Sequence, residues 1–217
     1  MPDALLVWLR AVYSYSIVFS VTLPTWLGCN RYYFYRAIHW ARHTGRGLFM
    51  RRKDREVSVS SEIFDILARC QVLRIAMHDE PYPYIVPVSF GMEVIDGKAI
   101  VYFHCAQQGM KLDLLRANPC VCVEGDIFIK VESTPHGITT RYESVIGRGE
   151  CRFLTDADEI VHGLRLITDH YGYTDYPLER CSGIEHLLIG RIVLDEITGK
   201  HNLPGTGTPA DTAAQKK

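Results

Sequence analysis

The amino-acid sequence predicts a mainly β domain with short helices, folded as a small antiparallel barrel. Three observations carry this. Six runs rich in β-branched and aromatic residues follow one another between Val72 and Ile197, parted by turn-forming residues. Strand and helix never alternate regularly, and no G-x-G-x-x-G or P-loop is present, which excludes a Rossmann-type parallel sheet. An open sheet of that many strands would leave free edges, and closure into a barrel removes them.

The elements follow in order. Ser60 or Ser61 can cap a helix running to about Arg69, with Ile63, Phe64, Ile66 and Leu67 as its apolar face. Val72–Met77, Tyr84–Met92 and Ala99–His104 read as strands of an antiparallel meander, separated by Asp79–Pro83 and then by Asp96-Gly97. A short helix over Met110–Ala117 ends at Asn118-Pro119, because the residue before a proline is pushed out of helical geometry. Val121–Val131, with a break expected at Gly125, and Thr140–Phe153 are the next strands. Asp156 starts a helix whose apolar residues Ile160, Val161, Leu164 and Ile167 recur at helical spacing until Tyr171-Gly172. Leu187–Ile197 is the closing strand, and the small, polar tail from Pro204 reads as disordered.

Of 217 residues, 47% are hydrophobic and 23% charged, the balance of a folded domain and not of a disordered or collagen-like chain. The net charge of -1 conceals an asymmetry: five arginines against Asp3 alone give residues 1–49 a charge of +4, leaving -5 for residues 50–217. All three tryptophans, Trp8, Trp26 and Trp40, also precede Met50. This break divides the chain into an extension over residues 1–49, a barrel domain over 50–203 and a tail over 204–217. Met50 opens MRRKDREV, which reads as a natural start, so the extension is expected to lie outside the functional protein. The acidic domain, with scattered basic residues, argues against nucleic-acid binding.

Ala4–Leu23 is the one membrane candidate, but Arg10 interrupts it, and the clean run Ala11–Leu23 falls short of the about 20 apolar residues that a span needs. The expectation is therefore a cytoplasmic protein. The alternative is a tether through residues 4–23, with the following arginines keeping the domain on the cytoplasmic side. Seven cysteines, an odd set without C-x-x-C, argue against a zinc site or a disulfide framework and for buried, reduced thiols. His39 and His43 stand at i, i+4 but lack an acidic ligand nearby, so no metal site is expected there.

The stretch His104–Pro119, HCAQQGMKLDLLRANP, is where chemistry concentrates. A strand ends there, and a polar, glycine-bearing loop feeds directly into a helix, a geometry that offers free backbone N–H groups to an anion. Lys111 falls in the first helical turn, where the helix dipole disfavours a cation by roughly 0.3–1 kcal/mol. A bound phosphate would compensate it, and Asp113 is the structural alternative. His104 alternates with Tyr102 and Ile100 on one strand face. It reads either as a hydrogen-bonded core residue or as a reactive one.

Together MRRKDREV, YIVPVSFGME, DGKAIVYFHCAQQGMKLDLLRANPCVCVE, RYESVIGRGECRF and IVLDEITGK resemble, in order over about residues 50–202, the pyridoxamine 5'-phosphate oxidase-like flavoproteins. More narrowly, they resemble the branch of the 5-nitroimidazole reductases. The resemblance implies a six-stranded split β-barrel, a homodimer, and FMN in a cleft between two subunits. It implies that Val86, Pro87, Val88, Ser89 and Phe90 run along the flavin ring. His104, Cys105, Ala106, Gly109 and Lys111 would surround the ribityl phosphate and the ring edge. Ser144 and Val145 would line the same cleft, from the partner subunit. Pro87, which cannot donate to a ladder, independently marks a sheet edge or bulge.

The chain departs from the oxidases themselves, which end in an arginine- and histidine-containing strand where this one reads DEITGKHN. Their phosphate-contacting arginine on the second strand is also missing from YIVPVSFGM. The expectation is thus an FMN-dependent oxidoreductase acting on a small electron-poor molecule such as a nitroaromatic, with a nicotinamide electron donor and His104 as the catalytic residue. The rival expectation is a flavin- or haem-binding protein without turnover, with His104 as a possible axial ligand. Haem or a deazaflavin is the alternative cofactor.

Overall fold

A computed structural model of the chain describes residues 50–204, except residues 136 and 181–182 and the side chains of Glu179 and Glu185. The expectations for the boundary at Met50, the apolar stretch 4–23, the His39/His43 pair and the tail beyond Pro204 lie outside the described residues. Among the described residues no helix is long and apolar enough to cross a membrane.

After a 3₁₀ turn at Lys53–Arg55, the elements are β1 (Glu56–Val57), α1 (Ser60–Arg69), β2 (Leu73–Met77), β3 (Tyr84–Val88), β4 (Phe90–Ile95) and β5 (Lys98–Ala106). Then come α2 (Met110–Ala117), β6 (Cys120–Thr134), β7 (Gly137–Phe153), α3 (Ala157–His170) and β8 (Leu187–His201), with 3₁₀ turns at Leu178–Arg180 and Ile184–His186. All pairings are antiparallel, and the sheet order is β3-β2-β6-β7-β8-β5-β4, with β1 added alongside β8.

That order corrects the meander. Tyr84–Met92 is not one strand but two, divided at Ser89. β3 pairs with β2 and β4 with β5, so the two halves of the expected strand form opposite ends of the sheet path. Because only Ser89 separates them, the sheet curls until its ends meet there without bonding. The result is a split barrel. Its six strands are β2, the divided β3/β4, β5, β6, β7 and β8.

Three local expectations also change. Val59, not a serine, occupies the N-cap of α1, and no side chain caps it. Gly125 does not break β6. A Cβ there would stand 2.9 Å from the Cys70 sulfur, so the glycine makes room for α1's end, and the register slips instead between Phe128 and Lys130. The Asp156 cap does form: its carboxylate accepts the N–H groups of Asp158 at 3.0 Å and Glu159 at 3.1 Å.

The barrel interior is filled by Leu67, Leu73, Ile75, Phe90, Phe103, Val123 and Ile192. A second cluster, Ile100, Tyr102, Leu164, Ile167 and Ile189, lies where α3 covers β4 and β5. Each such side chain, fully buried, contributes on the order of 1.5–3 kcal/mol of apolar transfer. Helix α3 approaches without a spacer, since a Cβ on Gly91 would meet the backbone of Leu166 at 2.3 Å.

Strands β6 and β7 outrun the barrel. Pairing with β2 ends at Gly125 and pairing with β8 begins at Glu143, so the rest of the two strands forms a two-stranded arm. One face of it is polar, with Arg141 held by Glu132, Asn202 and the Leu203 carbonyl. The other carries Phe128, Val131 and Ile138, which are 65%, 55% and 81% exposed.

Candidate functional site

The split places the predicted residues in two groups. Phe90 pairs with Phe103, so Ser89 comes to the level of His104 at the open seam. His104 continues to Cys105 and Ala106, whose partners on β8 are Leu188 and Leu187. The chain then turns through Gly109 into α2. Val88, Ser89, Phe90, His104, Cys105, Ala106, Gly109 and Lys111 thus gather around the seam, with Val86 and Pro87 leading to it along the edge strand β3. Pro87 sits on an edge, as its missing N–H requires.

Ser144 and Val145 lie elsewhere in the chain. Their β8 partners are Lys200 and Gly199, whereas His104 pairs with Ile189. The interval along β8 is roughly 30 Å. Val145 is also buried, its side chain in the barrel core.

Gly109 stands at the N-cap of α2 with φ +128°, a backbone conformation that suits glycine, and a Cβ there would meet nothing within 4 Å. The open approach exposes the first turn of α2, whose leading N–H groups have no intrahelical acceptor. Lys111 makes no ion pair among the described residues. Asp113 therefore does not compensate it. Its Nζ lies 5.4 Å from the centroid of the Phe103 ring, a cation–π contact that holds the ammonium over the seam. A cation without a carboxylate, an uncapped helix start and an unobstructed glycine fit a phosphate monoester.

His104 is exposed and makes no hydrogen bond among the described residues, so it is not the satisfied core histidine of the structural alternative. Partial burial of the ring, with Lys111 as the second cause, holds its pKa below the usual 6.5 and keeps the imidazole neutral at neutral pH. Burial pushes the Cys105 thiol up despite Lys111 and Arg116, and pushes that of Cys151 up to about 12. Neither offers a thiolate. Cys70, Cys105 and Cys151 are buried free thiols, as expected, but Cys120 is exposed and Cys122 only half-buried.

Three residues missed in the sequence support the seam. The Tyr171 hydroxyl accepts the Phe90 N–H at 3.2 Å and donates to the Gln71 carbonyl at 2.9 Å. The His170 ring packs on Phe90 at 4.4 Å, with Nε2 2.8 Å from the Cys70 carbonyl oxygen. Phe103 supplies the face under Lys111. Its place in an apolar strand gave no sign of this, and the Tyr171 contact spans 81 residues of chain.

A mainly β chain folded into a split barrel defines the class of the FMN-binding split-barrel proteins. Within it, residues 60–201 match the model of the pyridoxamine 5'-phosphate oxidase family, well over half of the chain, and the protein belongs to that family.

Solved structures agree. A candidate 5-nitroimidazole antibiotic resistance protein from Bacteroides thetaiotaomicron is 25% identical with a TM-score of 0.60, covering 67% of this chain and 86% of that one. The FAD and haem binding protein from Mycobacterium smegmatis is 16% identical with a TM-score of 0.58, covering 75% and 80%. The flavocytochrome Anf3 from Azotobacter vinelandii is 16% identical with a TM-score of 0.58, covering 76% and 78%. The last two are alike in fold alone. No curated protein matches the chain by sequence.

Proposed function

We propose that the protein is an FMN-dependent oxidoreductase that reduces a small electron-poor molecule such as a nitroaromatic, with a nicotinamide donor. The observation that carries this reading is Lys111, a cation in a first helical turn without a carboxylate partner, beside an exposed and unpartnered His104. Family membership supports a flavin, and the 25% likeness to the candidate 5-nitroimidazole resistance protein supports the substrate class.

FMN, when bound, supplies the electron and hydride chemistry. Lys111 and the start of α2 hold its phosphate. The backbone from Val86 to Phe90 hydrogen-bonds the ring at the open edge of β3. The neutral imidazole of His104 orients the substrate or passes it a proton. Ser144 reaches the cleft from a second copy of the chain, because within one copy it is far from His104. The exposed apolar face of the arm supports such a homodimer, since large uncovered apolar patches mark interaction sites. Free thiols support a reducing, cytoplasmic setting.

The free imidazole of His104 also supports a second reading, a flavin- or haem-binding protein without turnover, in which that ring ligates iron. One preparation distinguishes the two. The bound cofactor of the full chain is released by denaturation and weighed, and the protein is mixed with NADH or NADPH and a nitroaromatic. FMN and turnover are expected. Haem with a Soret band, or a flavin that nicotinamide never reduces, would contradict the proposal.

A further inference from the structure

Like charges face one another at two registers of the sheet. At Lys130 and Arg141 the conflict is resolved, because Glu132 binds both cations. At Arg152 on β7 and Arg191 on β8, which are direct partners, it is not. Arg152 is exposed and has neither a hydrogen bond nor an ion pair among the described residues. Arg191 is half-buried and donates Nε–H to the Tyr102 hydroxyl at 3.3 Å. That hydroxyl in turn donates to Glu93 at 2.7 Å, and Glu93 also meets His162 at 3.0 Å, so this carboxylate is already engaged.

Cross-strand partners point to one face with Cβ atoms about 5 Å apart, and like charges so placed destabilise a sheet. Arginine forks bind carboxylate and phosphate oxygens bidentately, and an oxyanion between two guanidinium groups would turn the repulsion into attraction. Tyr102 holds one of the two forks in place.

We infer that Arg152 and Arg191 form a seat for an oxyanion, the phosphate or carboxylate group of a small molecule. The seat is distinct from Lys111. It shares its face with His104, since Ile189, the partner of His104, precedes Arg191 by one same-face step on β8. Ile189 and Tyr102 are buried beneath α3 between the two, so the seat is separated from His104 on that face. The inference rests on the pairing of β5, β7 and β8 and does not require the flavin reading.

The test titrates inorganic phosphate, and separately acetate, into the full chain carrying Lys111→Ala, so that the other candidate phosphate position is weakened. Binding is followed by calorimetry, and melting temperatures are recorded at matched ionic strength in chloride. Adding Arg152→Ala should weaken binding about tenfold or more, the effect of losing a charge-assisted contact. Arg152→Glu, which gives Arg191 a carboxylate, should melt higher in chloride and ignore phosphate. Competition by FMN but not riboflavin would assign the seat to the cofactor's phosphate, and its absence would assign it to a second molecule. Equal binding by the Lys111→Ala protein with and without Arg152→Ala overturns the inference, as does a lower melting temperature for Arg152→Glu. Neither result bears on whether FMN binds, so failure here is distinguishable from failure of the proposed function.

Discussion

The ammonium of Lys111 stands over the ring of Phe103, 5.4 Å from its centroid, and this contact joins the first turn of α2 to the strand that carries His104. Phe103 is fully buried and pairs with Phe90, so the cation rests on the same aromatic layer that closes the barrel seam. Through this layer the packing of the core fixes where the Lys111 ammonium stands.

The same layer depends on Gly91. Its absent side chain lets the backbone of α3 lie on β4, and Tyr171 at the end of α3 then reaches the Phe90 N–H. Gly91→Ala inserts a methyl into backbone 2.3 Å away, so the helix must shift. A loss of about 3 kcal/mol or more is expected. Chemical denaturation measures it, and a change below about 1 kcal/mol would show that α3 is not docked as described.

His104 gives a pH dependence with a definite sign. Its pKa in the folded chain lies below the ordinary 6.5, by burial first and by Lys111 second. The unfolded chain therefore takes up this proton more readily. On this account stability rises with pH up to about 6.5 and declines as the pH falls through the folded value. Lys111→Ala should raise the His104 midpoint, and a bound phosphate should do the same by neutralising Lys111. Titration of the ring proton by NMR checks this. A midpoint above 6.5 that does not respond to Lys111→Ala would contradict it.

Much of this was legible in the sequence because strand and helix periodicities are local. Asp156 as a cap, the Asp96-Gly97 turn and the limits of α2 follow from a few neighbouring residues. The division at Ser89 does not, since Tyr84–Met92 has unbroken strand character and only the closure of the whole sheet assigns its halves to opposite edges. Gly125 looked like a break for want of Cys70, which lies on another element. The roles of Phe103, Tyr171 and the Arg152–Arg191 pair depend on register between strands that are distant along the chain.

The arm makes a prediction about assembly. A two-stranded ribbon with an exposed apolar face is marginal by itself, and a second copy would cover it. Ile138→Asp places a charge at its most exposed apolar residue, so the fold should persist while the dimer weakens. Sedimentation velocity at micromolar concentration should report a dimer for the parent chain and a larger monomer fraction for the variant. FMN affinity should fall as the dimer is lost. A monomeric parent that still binds FMN would remove the shared-cleft arrangement.

The central claim is that Lys111 and the start of α2 hold the phosphate of FMN, and comparing FMN with riboflavin tests it most directly. A charge-assisted hydrogen bond to phosphate contributes about 1.5–3 kcal/mol, or roughly ten- to hundred-fold in affinity. Both ligands are titrated into the parent protein and into Lys111→Ala, following the quenching of flavin fluorescence. FMN should bind the variant ten- to hundred-fold more weakly, while riboflavin, which lacks the phosphate, should bind both proteins alike. Equal weakening of both ligands, or none of either, would contradict the account and leave Lys111 as a helix residue resting on Phe103.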